Sequence, residues 1–63
     1  MEKITITKDL PEYNIYKNDV YNVLRTINNE CVVILPTKPN FICTENKLRQ
    51  YGTLTGTPVL GGN

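Results

Sequence analysis

The chain has 63 residues, a formal charge of +1, and no histidine, serine, alanine or tryptophan. Without His and Ser there is no Ser-His-Asp or Cys-His constellation, and the usual neutral-pH proton carrier and commonest metal ligand are missing. The charged residues are mixed in sign, which is not the basic stripe of a phosphate-backbone binder, though the fold can still gather a local patch, and not the charge of an acidic nucleic-acid mimic. The expectation is one small, non-enzymatic domain that works through its surface, with no catalytic residues, metal or cofactor. A domain this short buries only ~60% of the surface its unfolded chain exposes, so its core has little to spare.

Residues 3–8 alternate, with Ile4 and Ile6 on one face and Thr5 and Thr7 on the other, as in a half-buried strand. That alternation, with no long apolar stretch, also argues against a secretory leader, and no apolar run approaches the ~18 residues of a membrane span. A cytoplasmic protein with reduced thiols is expected. Pro11 ends the first strand, since it cannot donate to a ladder and restricts Leu10. Residues 12–19 read as a loop carrying Tyr13, Ile15 and Tyr16. Asp9, Glu12 and Asp19 cluster around it, and capping or solvation is the expected role for all three.

Residues 20–27 fit two patterns. Val20, Val23, Leu24 and Ile27 have helical spacing with Asp19 as N-cap, but the β-branched residues and Asn favour a strand. We read a strand, with Asn28-Asn29 as the following turn because Asn tolerates φ > 0. Residues 31–35, Cys-Val-Val-Ile-Leu, are continuously apolar and form the strongest strand, expected to be covered on both faces. Pro36 to Asn40 is a turn, and Phe41 to Thr44 returns. A hairpin centred near Lys38-Pro39 sets Cys43 opposite Val33 or Ile34, leaving Cys31 and Cys43 offset as free packing thiols. Val33 and Phe41 are expected in the core. Glu45 to Leu48 reads as one helical turn with Leu48 inward, and Arg49 to Tyr51 as a short closing strand ended by Gly52.

Strand, long loop, three-strand meander, helical turn and short strand make the element pattern of a mostly β, five-stranded SH3-like barrel. Asp9-Leu10-Pro11 and the run from Lys17 to Leu24 resemble short bacterial SH3-like domains of the KOW type over about residues 8–51. Asn18 and Asn22 stand where that pattern has glycines. The resemblance implies a fold and a link to ribosome or RNA binding in some relatives. A β-grasp carrier, using a helix over residues 20–27 and the Gly61-Gly62 pair, is the competing fold.

Residues 1–51 are thus read as the barrel and 52–63 as a Gly/Thr-rich tail without charges that holds all four glycines. A flexible terminus is one reading. The other is a ligand-like arm whose Val59 and Leu60 fill pockets on a partner. Thr53, Thr55 and Thr57 alternate, as on one face of an edge strand. With one Phe and no Trp, some of the four tyrosines must fill the core. Tyr13, Tyr16 and Tyr51, with Val59 and Leu60, are the candidate partner-binding residues. The expected function is protein binding, in keeping with a phage or mobile-element inhibitor of a host or defence enzyme. A KOW-like nucleic-acid module and a carrier modified at its C-terminus are the alternatives.

Overall fold

The structure, a computed structural model, describes residues 1–37 and 39–61. Lys38, at the expected hairpin centre, and Gly62 and Asn63, which complete the diglycine end, lie outside the described residues. Five strands form one antiparallel sheet: β1 (Glu2–Ile6), β2 (Val20–Arg25), β3 (Cys31–Ile34), β4 (Phe41–Cys43) and β5 (Gly52–Thr55). Their order is β4-β3-β2-β1-β5, so β4 and β5 are the two edges of an open sheet. One helix, α1 (Glu45–Tyr51), joins β4 to β5, and a 3-10 turn (Pro11–Tyr13) interrupts the long β1–β2 connection.

The side-chain period of two divides the sheet into an inner and an outer face. Ile4, Ile6, Val23, Cys31 and Val33 lie inward and are buried, and Leu48 from α1 packs with them. Leu10 and Ile15 join the same core from the long loop. Residues 20–25 are a strand, as their β-branched composition favours. The turn after it closes through Thr26, whose N–H donates to Glu30, and Asn29 adopts φ 62°. In β3 the residues Cys31, Val32 and Val33 are all buried, so both faces are covered there.

Three expectations change. First, α1 runs to Tyr51 instead of stopping at Leu48, and the short strand expected at residues 49–51 is its last turn. Thr44 caps it, its Oγ1 accepting from the Lys47 N–H, and Glu45 pairs with Arg49 one turn on. Second, the β3–β4 register pairs Cys31 with Cys43 and Val33 with Phe41. That is a shift of two residues from a Val33 partner, or three from an Ile34 partner, and it changes every cross-strand pair. Phe41 packs against the core, yet at a sheet edge it is only half-buried.

Third, much of the expected tail belongs to the sheet. Residues 52–55 form β5, antiparallel to β1, with Leu54 opposite Ile4. Thr53 and Thr55 point outward from this edge strand. Residues 59–61 then bridge the end of β2: the Arg25 N–H donates to Val59 and the Gly61 N–H to the Arg25 carbonyl. Glycine is needed at two places here. A Cβ on Gly52 would lie 2.3 Å from the Thr5 carbonyl oxygen, so close strand pairing excludes any side chain. Gly56 has φ 87°, and a Cβ there would meet the Met1 carbonyl oxygen equally closely.

Two outcomes are expected from this packing. A chain ending at Tyr51 loses β5 and exposes β1, so it shows no cooperative unfolding transition by circular dichroism. Val33→Ala loses about 2 kcal/mol or more in urea denaturation through lost burial and the cavity left behind. A truncated chain that melts like the full protein would remove β5 from the fold.

Candidate functional site

The long loop is built as a clasp, not a free excursion. Leu10 and Ile15 bridge each other across the Pro11–Tyr13 turn, the Leu10 N–H donating to Ile15 at 2.8 Å and the Ile15 N–H to Leu10 at 3.2 Å. Both side chains are buried in the core. Asn14 closes the turn in the left-handed region, φ 57°, where Asn is tolerated. Further along, Asp9 accepts from the Lys17 N–H and Asp19 from the Tyr16 N–H, both at 2.9 Å. Asn18 has φ 77°, the conformation a glycine would favour, and its N–H donates to Ile6. Two of the three loop carboxylates thus have turn-closing partners, while Glu12 is exposed. Among the described residues no three His, Cys, Asp or Glu side chains gather as metal ligands.

This clasp carries Tyr13 to the start of β4. The Tyr13 and Phe41 rings lie 4.9 Å apart with planes at 60°, and Phe41 is 6.0 Å from Tyr51 at 50°. Tilted rings at such spacings are in the favourable range for aromatic contacts. The long loop, β4 and α1 therefore contribute one ring each to a row. Tyr13 is 38% exposed, while Phe41 and Tyr51 are half-buried against the core. Lys8 sets its ammonium 5.6 Å from the Tyr51 ring centroid, a cation–π approach at the end of the row. Tyr51 is fixed from below, because its carbonyl accepts from the Thr7 N–H at 2.9 Å.

The candidate residues divide into separate places. Tyr13 and Tyr51 come together around Phe41. Tyr16, 44% exposed, belongs to the far end of the loop and is not one of the three rings. Val59 and Leu60 lie beside Arg25, whose guanidinium holds Glu45 at the first turn of α1. Tyr51 ends that helix, about 9 Å further along at about 1.5 Å per residue. Tyr21 lines a different feature, an open concavity of about 290 Å³ bounded also by Lys3, Val20, Asn22, Ile34 and Pro36. Its hydroxyl donates to Asp19, and burial, followed by this bond and the carboxylate charge, raises its pKa.

Beneath the helix lies a charged cluster that the mixed-charge reading missed. Arg25 is 7% exposed and Glu2 4%. The Arg25 Nε and Nη2 donate to the two Glu2 carboxylate oxygens at 2.9 Å each, and Nη1 donates to Glu45 at 2.7 Å and Asn29 at 3.4 Å. Arg49 adds a second cation on Glu45. Bonding to Glu2, then Glu45, holds the guanidinium above its already high pKa. Both residues sit in phase with the apolar face, Glu2 with Ile4 and Ile6, and Arg25 with Val23. A charge at core parity was the available signal.

The chain matches no family model, and neither a curated protein nor a solved structure is detectably similar to it. No helix among the described residues is long and apolar enough to cross a membrane.

Arg25, then Arg49, draws the Glu45 pKa below its ordinary value. A carboxylate depressed in the folded state stabilises the fold above its unfolded pKa and loses that contribution as pH falls through its folded one. Melting temperature should therefore drop below about pH 4, near the ordinary Glu pKa. Glu45→Gln should melt lower at pH 7 and show a shallower fall over the same window. Parallel curves for the two proteins would remove Glu45 from the linkage.

Proposed function

We propose that this protein is a non-enzymatic binding domain of SH3-like barrel architecture that engages a segment of a protein partner through the Tyr13–Phe41–Tyr51 row. The observation that carries the reading is the convergence of three rings from three separate elements, Tyr13 exposed and Phe41 and Tyr51 half-buried, at one edge of the sheet. Aromatic side chains bury large area at low conformational cost and are enriched where proteins meet. Here the long loop, β4 and α1 hold them on supports tied to the core, so little ordering is needed on binding. The strand order β4-β3-β2-β1-β5, with a long β1–β2 loop and a helix before β5, supports the barrel-type architecture. Lys8 at one end of the row favours a partner segment with a carboxylate near its apolar anchor.

A single-stranded nucleic acid is the second reading, favoured by the same Lys8–Tyr51 pair, since bases stack on aromatic rings beside cations. Glu12, exposed beside Tyr13, and the near-neutral charge weigh against it.

The test is selection of displayed random peptides on the wild-type domain, with oligo-dT and oligo-U titrated in parallel. Selected peptides should bind Tyr13→Ala and Tyr51→Leu at least tenfold more weakly, while both variants keep the wild-type circular dichroism spectrum. Peptides that bind all three proteins equally would refute the site. Oligonucleotide binding that falls steeply with salt, without peptide binding, would favour the nucleic-acid reading.

A further inference from the structure

Cys31 and Cys43 are the chain's two cysteines, and the β3–β4 register sets them directly opposite each other. Both are free thiols on the inner face of the sheet. Directly opposed residues of an antiparallel pair have Cα atoms about 4.5–5.5 Å apart, inside the range of about 4.4–6.8 Å that a disulfide spans. The two differ in access. Cys31 is fully buried, whereas Cys43 is half-buried at the edge of the sheet. Nothing in the aromatic row or in the Arg25 cluster requires two thiols in register. A pair of apolar residues would fill the same space.

We propose that Cys31 and Cys43 form a reversible cross-strand disulfide by exchange with a low-molecular-weight disulfide such as oxidised glutathione. The Cys43 thiolate attacks one sulfur of the small disulfide, and one glutathione thiolate leaves. The Cys31 thiolate then attacks the Cys43 sulfur and displaces the second glutathione. The protein loses two electrons and two protons, and the oxidant is reduced to two glutathione thiols. The bond staples β4, an edge strand of three residues, to β3. It fixes Phe41 at one end of that strand and the Thr44 cap of α1 just beyond the other. Burial, then the neighbouring Cys31, pushes the Cys43 thiol up to about 11, so exchange is slow at neutral pH and quickens in mild alkali.

The experiment incubates the folded full chain with oxidised glutathione at about pH 8.5, where more thiolate is present, and follows intact mass without reductant. The expected product is lighter by about 2 Da and carries no glutathione. Chymotryptic cleavage after Phe41 should leave the two cysteines in peptides joined only by the disulfide. The oxidised protein should melt about 10 °C higher, as a cross-link across a short loop gives in a domain of this size, and dithiothreitol should reverse the shift. In Cys31→Val, the accessible Cys43 should instead stop at a glutathione adduct of about 305 Da. In Cys43→Val, the buried Cys31 should stay unmodified. The proposal is overturned if the wild type keeps two thiols, stops at mixed disulfides, or cross-links only in denaturing urea.

Discussion

A buried guanidinium holds this small fold together. Arg25 lies at the end of β2, where the inner-face parity turns its side chain under α1. Its side chain bonds Glu2 at the start of β1, Asn29 in the β2–β3 turn, and Glu45 in the first helical turn. Its backbone receives residues 59 and 61 from beyond β5. Removing two opposite charges from water costs several kcal/mol per ion, offset only where geometry is good and remaining polar groups have partners. Both conditions hold. The Glu2 contact is bidentate, and among the described residues no buried side-chain nitrogen or oxygen lacks a partner. Because each ion is buried against the other, neither strand end can shift without leaving a charge unpaired.

That constraint reaches the surface through α1. Its start is held through Glu45, and Leu48 is buried under its middle. Its last residue is held by the Thr7 N–H, so the Tyr51 ring has a fixed origin. Phe41 is placed by β4, and Tyr13 by the buried Leu10–Ile15 bridge. The row of rings therefore stands on three supports that all run into one core. The same arrangement separates the row from Val59 and Leu60, which Arg25 gathers at the opposite end of the helix.

Much of this was legible in the residues. The alternation in residues 3–8, the apolar run at 31–35 and the turn residues between them specify strands and faces, and the loop with several aromatics supplies Tyr13, one ring of the row. What escaped has physical causes. Placing the hairpin centre by turn composition left the β3–β4 register off by two or three residues, and hid the meeting of Cys31 and Cys43. Helix propensity did not reveal that α1 continues through Tyr51, because burial of Leu48 and the Glu45 contacts extend it. Residues 52–55 have few apolar side chains, yet Gly52 lets their backbone pair closely with β1, and composition reads as tail what pairing makes a strand. Glu2 and Arg25 were hidden by counting charge along the chain instead of asking which face each charge occupies.

The most direct measurement of the account is a double-mutant cycle on Glu2→Gln and Arg25→Met, read by urea denaturation of the full chain. If the buried pair organises the fold, each single change leaves a buried polar or charged group without its partner and costs about 3 kcal/mol or more. The double variant should then lose much less than the two losses combined, with a coupling of about 2 kcal/mol. Losses that add within about 0.5 kcal/mol would show that the two side chains act independently, and the central role given to Arg25 would be contradicted.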